Sequence, residues 1–257
     1  MKKTLTGFFL FLLLCQLGIS QSRENKSLPD NEAFKSFSGS KFLLGFKVGP
    51  TIPIGEFGEI DINDEKAGLA KTGIQLNANL QYLFTESFYL LIEGGYSSNA
   101  IDEDELLIPV RNSLPSFVRV SATSKNWNGK TLNAAVGTRT AIDAKTYFLT
   151  KFGLGLQSMS YPSSTITVTD GSTTIIGSES SSTSNSLNFT LGASIVAEIN
   201  NTTFFNIGLD YLRAAHEFKN IAVNTSVNGA SAAPTEFFDY DQNIEMIGVT
   251  IGLSFKI

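Results

Sequence analysis

The sequence predicts an all-β chain: an eight-stranded antiparallel up-and-down transmembrane β-barrel with short periplasmic turns and long extracellular loops. Three observations lead there. Eight segments alternate apolar and polar residues with a period of two. The links joining them are short and long by turns. The N-terminus reads as an export signal, and no cysteine follows it.

The signal comes first. Lys2 and Lys3 give a positive start, Gly7 to Leu14 a short apolar run, and Gly18-Ile19-Ser20 a small-residue cleavage site. Cleavage is expected between Ser20 and Gln21, which takes the formal charge from −5 to about −7. Cys15, the one cysteine of the 257 residues, lies inside this segment. A lipidated Cys15 is the alternative, but Leu14 stands where a small residue is wanted. Without Cys15 no disulfide can form. No later stretch is apolar enough for a transmembrane helix. The polar, aperiodic residues 21–40 read as a flexible periplasmic leader, and residues 41–257 as the barrel domain.

The alternation then runs through eight segments. "KFLLGFKVG" sets Phe42, Leu44, Phe46 and Val48 against Lys47. "GIQLNANLQYLF" sets Ile74, Leu76, Ala78, Leu80 and Tyr82 against Gln75, Asn77, Asn79 and Gln81. "SFYLLIEGGYS" sets Phe88, Leu90, Ile92, Gly94 and Tyr96 against Tyr89, Leu91 and Glu93. "TLNAAVGTRTA" carries Arg139 on its polar face, and "TYFLTKFGLGLQS" carries Lys151. "SLNFTLGASIVAEI" carries Glu198, "TFFNIGLDYL" carries Asp210, and "EMIGVTIGLSFKI" alternates to the chain end. Successive side chains of a strand point to opposite faces. Each segment has about the 9–11 residues needed to cross a bilayer at a tilt.

The links differ by side. Thr85-Glu86-Ser87, Ile142 to Lys145 and Asn200-Asn201 are short. Pro50 to Lys71, Asn99 to Lys130, Tyr161 to Ser186 and Arg213 to Asn243 are long. Short turns at one end and long loops at the other mark bacterial outer-membrane barrels. An even strand count puts both chain ends on the short-turn side. In the third long link, "TITVTDGSTTIIG" centres on Asp170-Gly171, a hairpin dipeptide. The expectation there is that strands five and six continue outward as a protruding hairpin.

Which face looks inward is decided by charge. Lys47, Glu93, Arg139, Lys151, Glu198 and Asp210 give three cations and three anions on faces otherwise rich in Gly, Ser, Thr, Asn and Gln. The opposite faces carry Phe, Leu, Ile, Val and Tyr without a charge. In water such faces would make an apolar patch far above a few hundred Å². The polar faces therefore line the lumen, where opposite charges pair, and the apolar faces meet lipid. A soluble lipocalin-like carrier with its apolar face inward would leave the small polar residues and balanced charges unexplained. Aromatics near strand ends, among them Phe42, Tyr82, Phe84, Phe88, Tyr96, Phe148, Phe205, Tyr211 and Phe255, suit interfacial girdles.

The signal, the strands, the link pattern and the terminal "GVTIGLSFKI" resemble the outer-membrane β-barrel domain family, the porin-family and PorT-like small barrels of Gram-negative envelopes. The resemblance covers about residues 41–257. It implies the bacterial outer membrane, with N- and C-termini periplasmic and lipid around the barrel. It also implies insertion by the barrel-assembly machinery, which would read a C-terminal signal at Phe255 and Ile257.

Chemistry is sparse. The acidic runs Glu59 to Glu65 and Asp102 to Glu105 read as solvated loops. The first lacks the glycine and distal glutamate of a calcium loop. Only His216 remains as an imidazole, so no metal or cofactor is expected. His216 reads as a loop residue, and Trp127 as a membrane-interface anchor. An eight-stranded interior is just wide enough to be filled by side chains. The expectation is a non-enzymatic barrel with a filled lumen, acting through its outer loops in adhesion, ligand contact or envelope organisation. It would be a monomer without a nucleic-acid partner, its extracellular ligand left open. The alternatives are a narrow porin-like channel for small solutes and an outer-rim hydrolase built on His216.

Overall fold

In a computed structural model, the chain is described at residues 41–61, 64–231 and 235–257. Residues 1–40, with the expected signal, Cys15, the Ser20–Gln21 site and the leader, lie outside the described residues. Twelve strands and one α-helix occur among the described residues. They are β1 (Phe42–Ile54), β2 (Gly73–Leu83), β3 (Phe88–Asn99), α1 (Glu103–Ser113), β4 (Arg119–Ser124), β5 (Trp127–Ala141) and β6 (Thr146–Tyr161). Then follow β7 (Ser164–Thr169), β8 (Thr174–Glu179), β9 (Ser182–Asn200), β10 (Thr203–Val227), β11 (Ala230–Ser231) and β12 (Glu236–Lys256).

Eight of these strands close a ring in the order β1-β2-β3-β5-β6-β9-β10-β12, with β12 pairing back to β1. All neighbours are antiparallel. These are the eight alternating segments, so the chain is an up-and-down β-barrel with no open edge along the ring. The short links are closed by their own side chains, as Ser/Thr and Asx turns are. Thr85 Oγ1 accepts from the Ser87 and Phe88 amides. Asp143 Oδ1 accepts from Lys145 and Thr146, and Asn200 Oδ1 accepts from Thr202 and Thr203. The Ile257 amide donates to Phe42, which ties the C-terminal end to the start of β1 on this same side.

The alternation places the faces as the charges require. Ile74, Leu76, Ile92, Leu132, Leu154, Ile207 and Ile251 are exposed around the outside. Asn79, Gln81, Glu93, Asn133 and Lys151 are buried inside. Phe42 and Tyr82 pack at 4.9 Å between ring centres, and Phe84 on Phe88 at 6.1 Å, both pairs at the short-turn end. The apolar belt stops at an outward ion pair, Arg213 Nε to Glu245 Oε1 at 3.2 Å.

Above that pair the structure departs from strands of bilayer length. β9, β10 and β12 run for 19, 25 and 21 residues. The Asp170-Gly171 turn is present, and Asp170 Oδ1 accepts from Ser172 and Thr173. The hairpin it closes is not a continuation of the fifth and sixth barrel strands. β6 ends at Tyr161, and β7–β8 folds sideways so that β8 pairs with the top of β10 and β7 with β4. The result is a sheet β10-β8-β7-β4 above the barrel. Pro162 accounts for the break, since it cannot donate to a ladder.

The second long link is not a plain solvated loop either. Its acidic run is the start of α1. Asp102 caps the helix by accepting from the Glu105 amide, and it pairs with Lys71 at 3.1 Å. Glu103, Asp104 and Glu105 fill the first turn, where acids complement the helix dipole. Glu103 Oε1 also accepts from the Ser124 amide at 2.6 Å, docking α1 on β4.

Candidate functional site

The lumen is filled in three layers. At the short-turn end an apolar floor joins Leu43, Leu83, Tyr89, Leu91, Ala135, Tyr147, Leu149 and Phe204. In the middle lies an ion cluster. At the outer end an aromatic roof joins Phe57, Trp127, Met159, Phe218, Ile221, Ile244 and Met246, with Tyr161, Phe238 and Tyr240 against it.

The ion cluster centres on Lys151 of β6. Its Nζ lies 2.7 Å from Glu93 Oε1 of β3 and 3.1 Å from Asp210 Oδ1 of β10. Lys47 of β1 stands 3.9 Å from Glu93 Oε2. Four of the six charges singled out in the sequence thus meet at the barrel centre. Arg139 and Glu198 do not join that cluster. Each sits two residues from the short-turn end of its strand, β5 or β9. Arg139 lies over the Tyr147 ring at 3.7 Å. The balance of three cations against three anions is therefore not one network: two of each make the central cluster.

Glycines give these side chains their room. Gly192 is the register partner of both Lys151 and Asp210. A β-carbon at Gly192 would overlap Asp210 Oδ1 and crowd Lys151 Cε. Asn133 lies over Gly155, and Asn79 over Gly45, in the same way. Polar-face glycine thus pairs across strands with a large polar neighbour.

The roof corrects two readings. Trp127 is not an interface anchor. It is 2% exposed, its Nε1 donates to the Gly68 carbonyl at 3.0 Å, and Phe57 meets it edge-on at 5.5 Å. Phe57, on a 3-10 turn at Gly55–Gly58 and fully buried, comes from the first long link. That loop folds inward at the outer end of the lumen and packs Phe57 against Trp127. Sequence periodicity offered no signal for Phe57, because it stands outside any alternating segment. The floor had a signal: the Lys47 and Glu93 faces continue downward into Leu43 and Leu91.

His216 is not a loop residue. It lies on β10, 3% exposed, facing inward. Its Nε2 pairs with Gln157 Oε1 at 3.1 Å, and its ring stacks on Phe218 at 5.7 Å. Its side chain meets the Gln157 amide, the Phe218 ring and the Ser184 backbone. It stands three residues above Arg213, outside the apolar belt. Burial pushes its pKa down to about 4. A folded pKa below the unfolded value of about 6.5 means that the unfolded chain binds the proton first. Stability from neutral His216 is therefore fully present above pH 6.5 and is lost as pH falls towards 4. Equilibrium unfolding between pH 7 and 4 should show this slope, with a loss of about 3 kcal/mol at the acid end. A His216→Gln variant should show a flatter profile, and an equal slope in both would contradict the assignment.

No group of three or more His, Cys, Asp or Glu among the described residues could hold a metal ion. None of the described helices is long and apolar enough to cross a membrane.

The closed ring, the uncharged outer belt and the polar, filled lumen define a small β-barrel of the transmembrane kind. Solved structures with similar arrangements include neisserial surface protein A, at 11% identity and a TM-score of 0.48, covering 85% of this chain and 98% of that one. A major outer membrane protein from Thermus thermophilus matches at 11% identity and 0.44, covering 84% and 99%. Ail, the attachment invasion locus protein of Yersinia pestis, matches at 8% and 0.39, covering 85% and 97%. No protein-family model and no curated protein matches the chain.

Proposed function

We propose that the chain is a non-enzymatic barrel of the Gram-negative outer membrane. Its lumen is closed, and it acts through what it raises above the membrane. The observation that carries this reading is the division of labour along β10. Its lower part faces Phe205, Ile207 and Leu209 outward beneath the Arg213–Glu245 pair, and its upper part builds the sheet with β8, β7 and β4. Lipid leaves a spanning β-structure only the closed barrel, and the exposed belt suits lipid. The residues above it suit adhesion, ligand contact or envelope organisation. Barrel-assembly machinery reading Phe255 and Ile257, a monomeric state, and periplasmic termini belong to the same proposal. A narrow channel for small solutes is a second reading, which takes support from the polar cavities beside Lys151.

Orientation gives the test. An epitope placed in the Asp170-Gly171 turn should be stained on intact cells, and one at Asn200-Asn201 only after permeabilisation. The protein should also fractionate with the outer membrane and migrate faster unheated than boiled. Staining of Asn200-Asn201 on intact cells, or a freely soluble monomer, would overturn the proposal.

A further inference from the structure

We infer that the sheet raised above the barrel docks a cationic amphipathic helix on one of its faces, the one continuous with the roof. The inference rests on the reading that this sheet stands outside the cell. On β10, Ile221 is fully buried in the roof, and Val223, Thr225 and Val227 follow on the same side at a spacing of two. Cross-strand register partners share a face. The register therefore sets Val223 and Val227 of β10 beside Glu179 and Ile175 of β8, then Ile166 and Val168 of β7, then Ala122 and Val120 of β4. The opposite face is polar, with Asn224, Ser178, Thr165 and Thr123 in one row.

The apolar face is uncovered. Ile175 is 42% exposed, and Val120, Ile166, Val168, Val223 and Val227 are half-buried, although Ile221 just below is at 0%. Gly177 stands at the centre of the face, and a β-carbon added there would meet nothing within 4 Å. α1 packs at the β4 edge. A sheet with an apolar face buries it against another element. The chain has no segment left for this. Residues 62–63 and 232–234 are too few, and residues 1–40 join β1 at the short-turn end, across the apolar belt.

The occupant follows from size and charge. Four strands about 4.8 Å apart and six residues at about 3.3 Å each give a face of roughly 14 by 20 Å. One helix of about 10–12 residues is about 15–18 Å long and 10 Å across, and it fits. A folded partner such as a second copy needs about 800 Å² a side, well beyond this face. The lowest row is acidic, because Val223 stands between Glu179 and Glu236. Glu179 accepts from Tyr161 Oη at 2.8 Å and from Ser164 Oγ at 3.2 Å, and it has no ion pair among the described residues. Its link, Tyr161 to Ser186, holds Asp170 and Glu179 and no Lys or Arg. The first link adds Glu56, Glu59, Asp61, Asp64 and Glu65 against Lys66 and Lys71. Carboxylates beside an apolar face select a segment that is apolar and basic together, and they repel lipid phosphate.

Fluorescence anisotropy tests this on the full barrel in zwitterionic nanodiscs, with a labelled Leu/Lys peptide of about twelve residues that forms a helical apolar stripe. Empty nanodiscs give the background. Saturable binding is expected, weakening as salt rises. Val168→Asn with Ile175→Asn should weaken it about tenfold or more. Glu179→Gln with Glu236→Gln should weaken it and flatten the salt dependence. Faster unheated gel migration reports that each variant is folded. Should the asparagine pair not fold, Gly177→Phe fills open space and should block the face in its place. No saturable binding, equal binding to wild type and the asparagine pair, or equal binding of a peptide scrambled off the stripe or carrying Glu for Lys would overturn the inference. So would a peptide-free dimer, or bound dodecyl phosphate, that the asparagine pair loses, since a second copy or lipid would then be the occupant. Any of these with the Asp170-Gly171 epitope stained on intact cells strikes this inference alone. An unstained epitope strikes the proposed function instead.

Discussion

Lys151→Met is expected to destabilise the barrel by about 3–5 kcal/mol, the usual cost of removing one partner of a buried ion pair. The shift is read as a lower urea midpoint in detergent, or as loss of the fast-migrating form at a lower temperature. The cause is local. Lys151 contacts two carboxylates on opposite sides of the lumen, at 2.7 and 3.1 Å, with side-chain exposures of 6% for the lysine and 8% and 15% for the acids. Without the ammonium, Glu93 keeps only the distant Lys47 and Asp210 keeps no ion pair from this cluster. Combining Lys151→Met with Glu93→Gln and Asp210→Asn removes the charges left behind and should recover most of the loss. An unchanged midpoint in Lys151→Met would show that the cluster holds nothing together.

Phe204→Ala is expected to cost a similar amount, about 3–5 kcal/mol, through lost burial and the cavity left behind. Phe204 is fully buried in the floor among Leu43, Tyr89, Leu91 and Tyr147. Its neighbour Phe205 is 37% exposed on the opposite face. Phe205→Ala should therefore cost markedly less, because that ring leaves lipid and not a packed interior. The two adjacent phenylalanines test the inside-out assignment in one experiment by urea unfolding. Equal losses, or a larger one at Phe205, would mean that the faces are reversed.

These positions also show what was legible in the sequence. Period-two alternation carries one bit per residue, inward or outward, and that bit puts Glu93, Lys151 and Asp210 on one face, where their side chains meet in the structure. Alternation says nothing about height along the strand. Arg139 and Glu198 share the inward face, but they sit too near the short-turn end to reach the central cluster. Height is set by register, and register emerges only when the ring closes. The roof was illegible for another reason. Phe57 and Trp127 act through a loop that folds back into the mouth, and such a tertiary contact leaves no periodic trace. At Asp102 to Glu105 a local signal did exist, a capping aspartate followed by acids. Pro109 and the short length of α1 hid it among loop residues. His216 was misplaced because β10 runs far beyond bilayer length, and the bulge between Phe218 and Ile221 breaks its alternation. At that bulge Asn220 has a φ of 55°, and its amide donates to Asp239 Oδ1.

The proposed closure of the lumen rests on three successive layers: the Phe204 floor, the Lys151 cluster and the Phe57 roof. Single-channel recording of the purified, refolded barrel in planar bilayers tests it most directly. A closed lumen should give no stable conductance above baseline for the wild type at neutral pH, and none for Lys151→Met, because floor and roof remain. A steady conductance in the wild type that rises in Lys151→Met or Glu93→Ala would contradict it and make the barrel a channel gated by that cluster.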